Sequence, residues 1–242
     1  MIKSTIHFLA SITSGLAGIV FPDVCICCGL EVTDAGKMIC TFCLLERFED
    51  ANPENRLQSA AELLPEGVSA QHALWRFDKG GVLQDLMHKL KYERLTDIGR
   101  QMGRQLARRT IEHPRIASKV DQYRGNALLV PVPLHYRKQR QRGYNQAFVI
   151  AEGMEQVMNM PICSIKDVVR QKNTKSQTGF DLQKRNANMK NAFSVNNPAR
   201  FSNKLVILVD DVFTTGSTSF ELSGELLSAG ASEVIILTVA EA

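Results

Sequence analysis

Two apolar runs without alternation, Leu205 to Val209 and Ala127 to Pro133, predict strands buried on both faces of a parallel sheet. Val234 to Val239 predicts a last strand, with further short strands at His72 to Phe77 and Ile162 to Val169 and an edge strand at Ala192 to Val195. Between them the apolar spacing is helical. Leu83, Leu86, Met87 and Leu90 follow Gly80-Gly81, and Ile98, Met102, Leu106 and Ile111 mark a helix that ends near Pro114. Further helices are predicted from about Ala147 to Met158, from Gln183 to Asn191, and from Ser217 to Ala229, with Gly230 just beyond the last one. Strands alternating with helices make this an α/β chain with a parallel sheet of βαβ units.

The N-terminus follows a different pattern. Ile6, Leu9, Ile12, Leu16 and Ile19 form a helical stripe, and Phe8 to Phe21 carries no charge. That run is too short to span a bilayer, and no small-x-small cleavage site follows it. A helix packed on the protein's own body is one expectation; a helix that meets a partner or a membrane surface is the other. Residues 1–62 are expected to form a small N-terminal module with its linker, and residues 63–242 the main domain, with the boundary near Leu63.

The 242 residues, 44% hydrophobic and 22% charged, have the composition of an ordinary soluble globular chain. A formal net charge of +4 hides an uneven distribution. Leu134 to Phe193 holds eleven Lys or Arg against four acids, so the rest of the chain is net negative. Any affinity for polyanions belongs to the middle of the chain.

Three stretches carry candidate chemistry. In the first, the strand at Leu205 to Val209 ends at Asp210 and Asp211, and Thr214-Thr215-Gly216-Ser217-Thr218 turns into the next helix. Ligands of open α/β sheets bind outside the carboxyl ends of the strands, where helix N–H groups and dipole favour phosphate. The four hydroxyls add donors, and Gly216 allows close backbone approach. Two acids would repel a bare phosphate. They suit vicinal sugar hydroxyls and Mg²⁺, so the stretch is that of a ribose 5-phosphate site. The second stretch, Pro133 to Gln146, is predicted to be a loop after a strand. It carries Lys138 beside Arg137, Arg140 and Arg142, and the guanidinium forks of the three arginines fit pyrophosphate; a basic surface loop or a nucleic-acid contact is the alternative. Tyr136 and Tyr144 could stack on bases. Lys91 could reach a phosphate if its helix borders the site. The polar stretch Arg170 to Gly179 could close over a charged ligand.

The third stretch is the cysteine cluster. Cys25, Cys28, Cys40 and Cys43 have C-x₂-C spacing in two knuckles, which completes a tetrahedral Cys₄ site of the structural zinc kind. Disulfides or a redox C-x-x-C are the alternatives, and a reducing compartment disfavours stable disulfides. Cys27 is the odd thiol, and Cys163 is expected in the core.

VDDVFTTGST (Val209 to Thr218) resembles the phosphoribosyl-pyrophosphate (PRPP) signature of type I phosphoribosyltransferases. Together with the Cys₄ module after Phe21-Pro22, VPVPLH at Val130 to His135, Arg142-Gly143-Tyr144-Asn145-Gln146 and the spaced set Arg170, Thr174, Gln177, Arg185, Asn188 and Phe193, the chain resembles the ComF/GntX family. The resemblance implies a type I phosphoribosyltransferase fold with a small N-terminal zinc module. It implies a cytoplasmic protein linked to DNA uptake or the use of external DNA. Asp210 and Asp211 would bind ribose hydroxyls and Mg²⁺, Thr214 to Thr218 the 5-phosphate, and Pro133, Leu134, Arg137, Arg140 and Arg142 the pyrophosphate, with Asp210, Asp211 and Arg142 central to catalysis. A base-recognising hood would come from the N-terminal region. The activity implied is phosphoribosyl transfer to an acceptor that the motifs do not name. The alternative is a PRPP-sensing component that holds single-stranded DNA, a competence ATPase or another DNA-processing partner.

Overall fold

In a computed structural model the described residues are 23–32, 37–51, 64–172 and 191–242. The N-terminal stripe, the boundary near Leu63, the stretch from 173 to 179 and the predicted helix over 183–190 lie outside them. The chain divides into two compact units, Met1–Arg47 and Phe48–Ala242.

The larger unit is built on a parallel four-stranded sheet. In sequence order the strands are β1 (Val68–Arg76), β2 (Ala127–Pro131), β5 (Leu205–Phe213) and β6 (Glu233–Glu241), and in space the order is β1-β6-β5-β2. All three pairings are parallel, with Leu129 opposite Ile207 and Ile207 opposite Ile235. Leu205 to Val209 are fully buried, as a strand covered on both faces must be. Val206, Leu208, Val234 and Ile236 share one core with Leu128, Val130, Leu222 and Leu226. The helix that covers this face is α7 (Ser217–Ser228).

The opposite face is covered by α3 (Thr96–Glu112) and α6 (Gln146–Met158), which pack closely on each other. Glycines make that approach feasible. A Cβ on Gly103 would strike the Ile150 carbonyl, and one on Gly153 the Arg100 carbonyl. Arg100 and Glu152 form an ion pair across the two helices at 3.0 Å. Before α3 comes α2 (Val82–Tyr92), whose buried Leu83, Leu86, Met87 and Leu90 match the predicted stripe.

Several predicted elements differ in detail. The stretch expected as a basic loop contains a short helix, α5 (Tyr136–Arg142). His135 starts it by accepting a hydrogen bond from the Arg137 N–H at 3.3 Å, and Gly143 ends it in the left-handed conformation (φ 86°). Pro114 does not merely end α3; it opens α4 (Pro114–Gln122), where its missing N–H costs nothing. The strand expected over Ile162 to Val169 is confined to β3 (Val168–Arg170), because residues 165–167 form a turn. Ile162 makes only an isolated bridge to Leu129. The edge strand near Ala192 is β4 (Phe193–Val195), which pairs antiparallel with β3 in a separate two-stranded sheet. Finally, β5 does not stop at Asp210 and Asp211. It continues to Phe213, so both acids belong to the strand.

The smaller unit has one described helix, α1 (Thr41–Glu46), opened by Cys40. Val24 and Glu31 make an antiparallel bridge around the first cysteine pair.

Candidate functional site

The site lies where β2 and β5 end. Asp211 is buried, yet it is fully engaged. Its Oδ1 accepts from the Val212 N–H at 2.9 Å, and its Oδ2 takes the Lys91 ammonium at 2.6 Å and the Gln146 amide at 3.4 Å. Burial works against this charge, but the attraction and hydrogen bond of Lys91 outweigh it and hold the Asp211 carboxyl below the usual carboxylate range. Lys91 is affected in the reverse sense. Burial opposes its ammonium, and Asp211 more than restores it, so its pKa is raised. Asp210 accepts a hydrogen bond from the Asp211 N–H at 2.8 Å. Burial, and then the charge of Asp211, push its carboxyl well above the usual range.

After the acids the chain makes the hydroxyl-rich turn. Thr214 is exposed, and Thr215 and Ser217 share a hydrogen bond between hydroxyls at 2.9 Å. Gly216 has φ 73°, and a Cβ there would run into the Phe220 ring and come within 2.9 Å of Phe213. Its role in the turn is therefore conformational and steric before any ligand is considered. Ser217 begins α7 and Thr218 follows in its first turn, so unpaired N–H groups face the same end of the sheet as the acids.

Across from the acids stands a group of cations drawn from three elements. Arg142, at the end of α5, is half-buried. It donates to Gln146 Oε1 at 2.7 Å and lies 5.5 Å above the Tyr92 ring. Gln146 thus joins the arginine to Asp211. Lys138 of the same helix has its pKa lowered by burial and then by Arg170, Arg142 and Lys91, which places four positive groups close together. Arg170 of β3 lies 5.3 Å over the Phe193 ring, and its charge, disfavoured by burial, is supported by Asp210. The helical form of α5 separates its basic residues. Arg137 and Arg140 are exposed, and Arg137 turns onto the Tyr136 hydroxyl at 3.1 Å. Pro133 and Leu134 are half-buried beside Gln139 and Asn145. Tyr136 is exposed, whereas the Tyr144 hydroxyl is buried.

Sequence reasoning left Lys91 unplaced and did not single out Lys138. The basic ending of α2 was visible, but which acid it meets depends on how α2 packs. Arg170 figures in the sequence as part of a possible closing stretch and of the spaced set behind the resemblance, but not as a charge beside Asp210.

In the smaller unit Cys25, Cys28, Cys40 and Cys43 bring their sulfurs within 4.8 Å of one another, an arrangement that could hold a metal ion. Cys28 and Cys40 are 3.7 Å apart. Burial opposes the Cys25 thiolate, but the N–H groups of Cys40, Cys27 and Cys28 outweigh it and bring its pKa to about 6. Cys27 stands outside the group, and burial, then Cys25, push its thiol up to about 12. Cys163 is buried in the core, where burial likewise raises its thiol to about 12.

No family model matches the chain. Curated relatives do. Competence protein F of Haemophilus influenzae is 35% identical over 143 residues, covering 58% of this chain and 62% of that protein. The chain is similar to competence protein F and to the DNA utilization proteins. DNA utilization protein YhgH of Escherichia coli K12 is 28% identical over 211 residues, 87% of this chain and 81% of that one. Competence protein ComFC of Bacillus subtilis is 31% identical over 108 residues, 43% of this chain and 39% of that one. The chain thus spans less than two thirds of the Haemophilus protein's length and about four fifths of the Escherichia coli protein's. Similar solved structures include Leishmania donovani UMP synthase (TM-score 0.33, 20% identity, 64% of this chain and 24% of that one). Another is a purine phosphoribosyltransferase of Pyrococcus horikoshii (TM-score 0.26, 14% identity, 57% and 83%). The α/β architecture expected from the sequence is borne out by the chain's own parallel sheet, and the four cysteines expected to share a metal are brought together in the smaller unit. Among the described residues no helix is long and apolar enough to cross a membrane.

Proposed function

We propose that this chain binds PRPP at the carboxyl end of β5 as a type I phosphoribosyltransferase-like protein of the cytoplasm, serving the uptake or use of external DNA. One observation carries the proposal. Two carboxylates and a hydroxyl-lined helix start lie at the end of one strand, and Arg142 is linked to Asp211 through Gln146. That arrangement pairs acceptors for ribose hydroxyls with donors for both phosphate ends of PRPP. The names of the relatives supply the setting in DNA uptake and use.

In this proposal Asp210 and Asp211 accept hydrogen bonds from the ribose hydroxyls. Thr214, Thr215, Gly216, Ser217 and Thr218 receive the 5-phosphate on N–H and hydroxyl groups. Arg142 holds the pyrophosphate together with Pro133 and Leu134 of the preceding segment, while Arg137 and Arg140 supply outer positive charge. The carboxylates also offer the hard oxygens that Mg²⁺ takes, and the ion would offset charge on the departing pyrophosphate. In a transfer the bond from ribose C1 to pyrophosphate oxygen breaks with its electron pair leaving on pyrophosphate. A bond from C1 to an acceptor nitrogen forms, and that nitrogen gives up its proton. The residues described here bind, orient and stabilise charge.

For the smaller unit we propose structural zinc on Cys25, Cys28, Cys40 and Cys43. Four thiolates about 2.3 Å from one tetrahedral ion lie about 3.8 Å apart, and the Cys28–Cys40 separation of 3.7 Å fits that spacing.

Calorimetry of PRPP with Mg²⁺ tests the main proposal. The wild-type chain should bind, and Asp210→Asn with Asp211→Asn should lose at least about tenfold in affinity. Unchanged affinity in the double variant would overturn it. A second proposal is a PRPP-sensing component without turnover that holds single-stranded DNA or an ATPase of the uptake machinery. The four converging cations, Lys91, Lys138, Arg142 and Arg170, favour giving it a test. Binding to an oligonucleotide that weakens steeply with salt, with no pyrophosphate release in the presence of nucleobases, would support it over the enzyme.

A further inference from the structure

Asp211 has no unused oxygen. Oδ1 is held by the Val212 N–H, and Oδ2 by Lys91 and Gln146. The lysine and carboxylate side chains keep only 24% and 10% of their exposure, so water screens this pair weakly. A cation that approaches Oδ2 of Asp211 meets the Lys91 ammonium already in place and competes with it. Asp210 is different: its Oδ1 accepts the Asp211 N–H at 2.8 Å, it shares a side-chain hydrogen bond with Asp211, and the Lys91 ammonium pairs with Asp211 rather than with it.

Lys91 lies in the last turn of α2, on a four-carbon stem that can swing. It stands within electrostatic reach of Arg142 and Lys138, on the side where an anionic ligand would be met. We propose that Lys91 is the resident counter-cation of Asp211: a divalent metal displaces it, and the freed ammonium then joins Arg142 and Lys138 in binding the anionic part of the ligand. This deepens the PRPP proposal and rests on the acids being its sugar and metal site. Its consequence is coupling between two ligands. Metal without anion binds weakly, because Lys91 must be left without a partner. An anion gives the ammonium a new partner and strengthens metal binding, and the same factor operates in reverse.

The test uses metal alone, so that it does not depend on PRPP. Mn²⁺ affinity is measured for the zinc-loaded full chain, for Lys91→Met and for Lys138→Met. If Lys91 occupies the metal's place, Lys91→Met binds Mn²⁺ about tenfold more tightly. Lys138→Met removes a charge from the same neighbourhood without freeing Asp211, and should gain far less. Lys91→Arg keeps the charge and should stay near wild type. Equal gains in Lys91→Met and Lys138→Met would reduce the effect to the general field and overturn the proposal. So would the lack of any gain in Lys91→Met. If that variant does not fold, Lys91→Gln replaces it under the same criteria. A chain that shows the Mn²⁺ pattern but does not bind PRPP would sink the PRPP proposal while leaving the displacement intact.

Discussion

Asp211 and His72 are both buried ionisable residues on strands of the same sheet, and the fold treats them in opposite ways. Asp211 keeps its charge because Lys91, Gln146 and the Val212 N–H all meet it. Among the described residues neither ring nitrogen of His72 has a hydrogen-bond partner, and the edge of His113 faces it, 5.6 Å away between ring centres. Burial, and then His113, lower its pKa to about 4, so the ring remains neutral. A buried titratable group can be supplied with partners or stripped of charge. Partners arriving from several elements mark a place where charge is used. A group kept neutral in the core is a liability toward acid.

The largest test of this contrast removes one partner. Lys91→Met leaves the Asp211 carboxylate buried without its cation, and should cost about 3 kcal/mol in unfolding free energy at pH 7. Adding Asp211→Asn should recover part of that loss, because the stranded charge is gone. The pH window follows from the shifts. Asp211 has a lowered folded pKa, so its contribution is present above the unfolded carboxylate value and fades as pH falls through the folded one. Lys91 has a raised folded pKa, so its contribution is full below the unfolded lysine value and fades as pH rises through the folded one. Urea unfolding of both proteins at pH 7 and pH 3 checks this. A penalty for Lys91→Met of equal size at both pH values would mean that packing, not charge, is what was lost.

For His72 the sign is that of Asp211, because its folded pKa is also lowered. The unfolded chain takes up a proton near pH 6.5 and the folded chain only near 4, so the unfolded state binds more protons in between and stability falls as pH drops. Two and a half units correspond to about 3 kcal/mol. His72→Gln, which does not titrate, should lose most of that slope between pH 6.5 and 4. Parallel slopes in wild type and variant would show that His72 finds a partner in solution.

The same contrast explains what was legible in the sequence. Leu205 to Val209 could be placed because an unbroken apolar run has few other uses, and the fold buries it completely. Asp210, Asp211 and the turn to Ser217 were legible because their neighbours in sequence are their neighbours in space. Lys91 and Asp211 are 120 positions apart, and only the packing of α2 brings them to 2.6 Å. α5 was missed for another reason. Tyr136 to Arg142 has no buried residue and so no apolar stripe; its helix rests on the His135 cap and the Gly143 stop. α4 is not legible because Pro114 reads as the end of α3, although proline serves equally well as a start.

A smaller effect is expected at the turn between the two treatments of charge. Gly216→Ala must hold φ near 73° and push against Phe213 and Phe220, at a cost of about 2 kcal/mol. The variant should also weaken PRPP binding, since the first N–H groups of α7 move with the turn. Thermal unfolding and calorimetry of the same protein separate these effects. Lost stability with unchanged PRPP affinity would mean that the turn is structural and does not hold the 5-phosphate.

The smallest expected effect is at Asn145, which ties the partnered acid to its scaffold without touching it. Its Oδ1 accepts from the Ala147 N–H at 3.0 Å and caps α6, and its Nδ2 donates to the Val132 carbonyl at 2.9 Å just beyond β2. The next residue, Gln146, reaches both Asp211 and Arg142. Asn145→Ala removes both bonds and should cost about 1 kcal/mol, with a modest loss of PRPP affinity. Asn145→Asp separates the two roles. It keeps a good cap but sets a carboxylate oxygen against the Val132 carbonyl, so the tie to β2 is lost while the helix start survives. If the tie positions Gln146, Asn145→Asp should lose as much PRPP affinity as Asn145→Ala while keeping more of the stability. If the cap alone matters, the aspartate variant should bind like wild type, and the link from β2 through Asn145 to Asp211 would carry no functional weight.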